Sequence, residues 1–155
     1  MDIFENRGNT LPVWFMRQAG RYHSHYQNIK KNSDFMTMCK SPRLATDVTL
    51  GPIQDFKFNA AILFSDLLFP LEQLGMGLSY HSGPPTLEWH LETPNDIQKL
   101  KIKSPGREFF KFQGEACKLL RAELPKDVTL LGFVGAPFTL YTYAVEGSHA
   151  GNLVS

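Results

Sequence analysis

Ala60-Ala61-Ile62-Leu63-Phe64-Ser65-Asp66, AAILFSD, decides the fold class. Its first five residues are apolar without interruption, the pattern of a strand covered on both faces, as in a parallel sheet. The run then stops abruptly on a serine and an aspartate. Downstream, Val128–Val134 (VTLLGFV) is a second continuous apolar run, ending in Gly135-Ala136-Pro137. Upstream, Pro12–Met16 (PVWFM) reads as a third buried strand, ending in Arg17-Gln18-Ala19-Gly20-Arg21.

Helical patterns fill the intervals. His25–Asn32 and Asp34–Lys40 are short candidates. Ser41-Pro42 reads as an N-cap with proline at the first helical position, and Leu44, Ala45, Val48, Ile53 and Phe56 follow at helical spacing. Gly51-Pro52 is expected to kink or split that helix. Leu78–His81 and Thr86–His90 suggest a hairpin around Gly83-Pro84-Pro85. Thr93-Pro94 opens a helix with Ile97 and Leu100 on its apolar face. Arg107–Leu124 is the longest helical pattern, and another helix begins near Phe138. Strands alternating with helices in this way indicate an α/β fold with a parallel sheet.

The chain has 155 residues, which suggests one domain, and its 43% hydrophobic content with 20% charged residues suits a folded protein rather than a disordered one. A net charge of +1 offers no global attraction to nucleic acid or to an anionic membrane surface. The apolar stretch Ala60–Leu71 is interrupted by Ser65, Asp66 and Pro70, and falls short of the roughly 20 residues a membrane helix needs. The first ten residues, MDIFENRGNT, lack the apolar core of a secretory signal. Cys39 and Cys117 form no CxxC, so reduced thiols and a cytoplasmic location are expected.

In parallel α/β folds, sites form at the carboxyl ends of the strands. The groups delivered there are Arg17 and Arg21, then Asp66, then Gly135-Ala136-Pro137 with Tyr143 in the following helix. Two arginines four residues apart offer planar forks suited to carboxylates; a pair of surface ion pairs is the plainer alternative. Asp66 is either a buried acceptor that stabilises charge or a cap for the next turn. A tyrosine amid FTLYTYAV is by default a core residue. His23 and His25 read as an exposed loop pair rather than a metal site, since no further ligands stand at metal-site spacing. His81, His90 and His149 are isolated in the sequence.

Met16-Arg17-Gln18-Ala19-Gly20-Arg21-Tyr22 resembles the N-terminal signature of the uroporphyrinogen decarboxylases. Ala61–Asp66 is similar to that family's second signature. Gly132–Leu140, with Thr142-Tyr143 and Val145-Glu146-Gly147, is similar to its third. The resemblance runs from about Leu11 to Gly147; His23-Ser24-His25 departs from the Leu-Pro-Glu-like stretch common in relatives. It implies a (β/α)8 TIM barrel, of which this chain would supply about the first three strand–helix units as a single incomplete domain. The implied activity is decarboxylation of the four acetate side chains of uroporphyrinogen III to methyls, giving coproporphyrinogen III for haem synthesis.

The implied enzyme needs no cofactor and no metal, and acts as a homodimer. Arg17, Gln18, Ala19, Gly20 and Arg21 would form the substrate-binding segment, Asp66 would stand at the centre of the cleft and Tyr143 would line it. Asp66, Arg17 and Arg21 would carry catalysis, with a serine or threonine and a histidine added by the C-terminal half. Two other readings remain: an inactive truncated or split-gene product, and a corrinoid- or thiol-dependent methyltransferase of the related barrel superfamily.

Overall fold

The computed structural model describes residues 12–81, 83–102 and 106–147, so His149 lies outside the described residues. The chain forms two compact units, Met1–Ser65 with Phe110–Phe133, and Asp66–Phe109 with Val134–Ser155.

The first unit contains helices α1 (Ser24–Lys30), α2 (Phe35–Lys40) and α3 (Pro42–Phe56), strand β1 (Ala60–Ile62), and, after the second unit's first stretch, helix α6 (Lys111–Glu123) and strand β4 (Thr129–Leu131). Local chemistry sets the helix starts. Asp34 accepts from the Thr37 N–H at 2.8 Å, and Ser41 accepts from the Leu44 N–H ahead of Pro42. The expected break at Gly51-Pro52 does not occur, and α3 is one helix of 15 residues. Val48 through Ile53 are all buried, and that burial outweighs the roughly 3 kcal/mol cost of an interior proline.

β1 and β4 pair in parallel, with Ala60 opposite Thr129 and Ile62 opposite Leu131. Ala45, Leu50 and Ile53 of α3, Ala61 and Leu63, and Ala116 and Leu120 of α6 form one core cluster with Leu124 and Val128. β1 is shorter than the apolar run that announces it. The Leu63 N–H still bonds to the Leu131 carbonyl, and the Phe64 N–H, on the edge away from β4, bonds to the Thr49 hydroxyl at 2.9 Å. β4 likewise stops at Leu131, and Phe133 and Val134 are exposed.

Pro12–Met16 is not a strand, contrary to its apolar pattern. The hydrogen bonds from this stretch to the residue before β1 are made by Val13, whose N–H donates to Asn59 Oδ1 and whose carbonyl accepts from the Asn59 N–H. Strands require a run of ladder bonds, and one residue's pair does not make one. Val13, Trp14, Phe15 and Met16 are all exposed.

Glycine has opposite consequences in two helices of this unit. A Cβ on Gly51 would stand 2.4 Å from Cδ2 of His25, whose Nε2 is held at 2.8 Å by the Asp47 carbonyl. A Cβ on Gly114 in α6 would meet nothing within 4 Å. We expect Gly114→Ala to stabilise by about 0.5–1 kcal/mol through helix propensity. Gly51→Ala should instead destabilise by about 1 kcal/mol or more, because overpacking exceeds the same propensity gain. Urea unfolding of the two variants tests the contrast; equal shifts in midpoint would refute it.

The second unit contains α4 (Phe69–Gln73), the antiparallel pair β2 (Leu78–Ser79) and β3 (Thr86–Leu87), a 3-10 helix (Pro94–Lys99), α5 (Gly106–Phe109) and α7 (Pro137–Glu146). The hairpin falls where turn residues place it. The single helix expected over Arg107–Leu124 is interrupted at Phe110, whose ψ of 10° leaves the helical range. The Thr93-Pro94 element is 3-10 rather than α, and its tighter winding turns Asp96 inward and leaves Ile97 exposed. Asp96 accepts from the Thr93 N–H and hydroxyl and pairs with Lys99 at 2.5 Å; Lys99 first, then Thr93, hold its carboxyl below the usual range.

Candidate active site

The Arg17–Arg21 segment belongs to the first unit. Gln18 is its buried member, and both ends of its amide are bonded to β1: Nε2 donates to the Ala60 carbonyl at 2.6 Å, and Oε1 accepts from the Ile62 N–H at 3.0 Å. The Tyr22 hydroxyl donates to the Gln18 carbonyl. Ala19 packs against the cluster of Tyr26, Met38 and Val48. The Gly20 carbonyl accepts from the His23 N–H at 3.0 Å, and the Arg21 carbonyl from Gln27 Nε2 at 2.7 Å, which fixes the turn into α1. Arg17 and Arg21 are exposed, and neither makes an ion pair with another described residue. The ion-pair alternative therefore finds no carboxylate partner among the described residues. Burial raises the pKa of the nearby Tyr26 hydroxyl and the Cys39 thiol adds to that, while the Arg21 charge opposes both.

His23 and His25 are not the exposed loop pair that their spacing suggests. His23 is buried with Nε2 2.7 Å from Asp55 Oδ2, and His25 is half-buried at the start of α1. The sequence holds no sign of this, because Asp55 lies 32 residues away. Among the described residues no group of three His, Cys, Asp or Glu side chains is placed to hold a metal ion, and Cys39 and Cys117 are free.

Asp66 opens the second unit, four residues after β1. It is half-buried, its Oδ1 accepts from the Leu68 N–H at 2.6 Å, and its Oδ2 accepts from the Tyr80 hydroxyl. One oxygen thus caps the turn toward α4, and the other accepts from a hydroxyl of the same unit. Burial pushes the carboxyl up from its ordinary value, and the Tyr80 and Leu68 donors oppose that rise without cancelling it. Tyr80 is a site neighbour that the sequence does not reveal. It sits beyond β2, and nothing in its surroundings marks it as polar-facing.

The third motif comes close to the residue that follows Asp66. A Cβ on Gly135 would lie 2.9 Å from the carbonyl oxygen of Leu67 and 2.7 Å from Cδ2 of Leu140. Only glycine lets the Gly135-Ala136-Pro137 turn come this close to the residue after Asp66. Pro137 then starts α7, on which Tyr143 is half-buried between buried Thr142 and Ala144, with its carbonyl accepting from the Gly147 N–H.

The model of one family, uroporphyrinogen decarboxylase, matches residues 6–154. The chain belongs to the uroporphyrinogen decarboxylase family. Among named members, the uroporphyrinogen decarboxylase of Carboxydothermus hydrogenoformans is 44% identical over 151 residues, covering 96% of this chain and 43% of that protein. That of Syntrophotalea carbinolica is 46% identical over 137 residues, covering 88% of this chain and 39% of that protein. This family member thus spans about two-fifths of the length of the curated relatives it matches. A solved methyltransferase from Methanosarcina mazei shares its fold over 94% of this chain and 43% of that one, with a TM-score of 0.63 at 17% identity. The α/β class is as expected. No helix among the described residues is long and apolar enough to cross a membrane.

Proposed function

We propose that this chain supplies the N-terminal part of the substrate cleft of a uroporphyrinogen decarboxylase, as the first strand–helix units of a (β/α)8 barrel. The observation that carries the reading is the family match over residues 6–154. It is supported by the arrangement of Asp66, a half-buried carboxylate four residues after β1 with both oxygens held. The substrate would be uroporphyrinogen III and the product coproporphyrinogen III, in a cytoplasmic homodimer. The methyltransferase likeness, at 17% identity, speaks to fold and adds nothing for transfer chemistry.

Decarboxylation of an acetate on a pyrrole needs a sink for the electron pair of the breaking C–C bond. The macrocycle itself provides one. Protonation of a pyrrole carbon gives a cationic ring, carbon dioxide departs, and the released pair flows into that ring. A second proton at the exocyclic carbon completes the methyl, and the ring proton is returned. The protein must orient the macrocycle and stabilise the cation. A carboxylate that is already positioned does so without reorganising. In this reading Asp66 faces the pyrrole N–H groups, Arg17 and Arg21 bind the remaining carboxylates through their forks, and Tyr143 lines the cleft.

The test uses a full-length protein carrying this segment, assayed for coproporphyrinogen formation. Arg17→Lys keeps the charge but loses the fork. We expect kcat/KM to fall about tenfold or more, equivalent to at least about 1.4 kcal/mol. The melting temperature should hardly move, since Arg17 is exposed and carries no ion pair among the described residues. An earlier melt with unchanged kinetics would return Arg17 to a structural role.

A further inference from the structure

We infer that Gln18 is a positioning residue whose amide is bonded to the edge of β1 that faces away from β4, and thereby holds Arg17 and Arg21 in place. The inference rests on the substrate-binding reading of those arginines. In the parallel pair, the Asn59 carbonyl accepts from the Thr129 N–H and the Leu63 N–H donates to the Leu131 carbonyl. The Asn59 carbonyl, the backbone groups of Ala61 and the Leu63 N–H are therefore directed at β4. By alternation, Ala60 and Ile62 direct theirs to the opposite edge.

That edge would carry unpaired groups in the described chain were it not for Gln18. Its Nε2–H meets the Ala60 carbonyl and its Oε1 meets the Ile62 N–H, at 2.6 and 3.0 Å. A primary amide has the donor and acceptor of a peptide group, so it reproduces what a neighbouring strand residue would offer. The pattern also fixes which end is nitrogen, because the Ala60 carbonyl can only accept and the Ile62 N–H can only donate. Arg17 adjoins Gln18 and Arg21 follows three residues later, with the Tyr22 hydroxyl returning to the Gln18 carbonyl. An amide of this length at this position thus sets the register between the arginine segment and the strand that leads to Asp66. With both polar ends of the side chain committed to β1, its contribution to the substrate passes through the arginines rather than through direct contact.

Two variants of the full-length protein test this. Gln18→Met keeps the length and removes both bonds. We expect trypsin to cut after Arg17 and Arg21 severalfold faster in the native state, with cleavage elsewhere unchanged. We also expect KM for uroporphyrinogen to rise about tenfold while kcat changes less than threefold. Gln18→Glu retains the acceptor for Ile62, but it can donate to Ala60 only when its new carboxyl is protonated. Its KM should approach that of the parent at acidic pH and rise as the carboxyl ionises, a dependence the parent and the methionine variant should lack. Unchanged trypsin cleavage in Gln18→Met would overturn the clamp. Faster cleavage with unchanged KM, while Arg17→Lys does raise KM, would overturn its positioning role. Faster cleavage with Arg17→Lys kinetically silent would leave the clamp standing and refute the substrate-binding reading instead.

Discussion

Asp66→Asn is expected to lower decarboxylation by a full-length protein by on the order of 10²–10³, the usual loss when one preorganised electrostatic contact is removed from a site. The same substitution is expected to leave stability at neutral pH equal to or above that of the parent. The reason lies in the balance of forces on this carboxyl. Burial raises its pKa, and the donors from Tyr80 and Leu68 only partly offset that. A folded-state pKa above the unfolded one means that the folded state binds the proton more tightly. The associated stability is present at low pH and is lost as pH rises through the raised value. At neutral pH the ionised form is therefore held at a cost to folding. Asparagine can still accept from the Leu68 N–H without carrying that charge. The gap in melting temperature between Asp66→Asn and parent should be largest near neutral pH and narrow toward the ordinary carboxylate range, near pH 4. Activity within a few-fold of the parent would remove Asp66 from the proposed role. A melting gap independent of pH would remove the burial argument.

The 155-residue polypeptide made by itself is expected to turn over no uroporphyrinogen above the uncatalysed rate, and to regain turnover when mixed with the remaining portion of a full-length protein. Relatives of known length are more than twice as long, with this chain covering 43% and 39% of two of them. In a (β/α)8 barrel the site is assembled from several strand ends, so a part of the barrel holds a part of the site. In the first unit, Val13, Trp14, Phe15 and Met16 are each at least 42% exposed in an unbroken row. Such a row favours self-association when nothing covers it. The electrostatic effect of Arg17 and Asp66 would also be weakened by water, where unit charges interact several-fold less strongly than in a partly enclosed site. Sizing chromatography with the decarboxylation assay, on the polypeptide alone and then on the mixture, tests both expectations. Robust turnover by a monodisperse 155-residue polypeptide would refute the partial-barrel reading, and silence from every mixture would favour an inactive product.

What could be read from sequence was what local chemistry decides. Asp34 and Ser41 announce α2 and α3 because a side-chain oxygen three residues before a free backbone N–H caps a helix wherever it lies. The turn around Gly83-Pro84-Pro85 joins β2 to β3 for a similarly local reason. The apolar runs before Asp66 and before Gly135 mark β1 and β4, since strands covered on both faces favour such rows. The three motifs were legible as residue identities, and they agree with the family match.

Tertiary structure decided whatever depends on a partner distant in the chain. Pro12–Met16 has the composition of a strand, but strand status is conferred by a ladder, and among the described residues it is Gln18 that meets the Ala60 and Ile62 edge. His23 is buried because Asp55 reaches it, and Pro52 stays inside α3 because the core around it holds the helix together. Asp66 could be read as a strand-end carboxylate; that Tyr80 donates to it, and that burial lifts its pKa, depends on the packing of the second unit. Side-chain chemistry is a property of each residue, whereas burial and hydrogen-bond partnership are properties of pairs that only folding brings together.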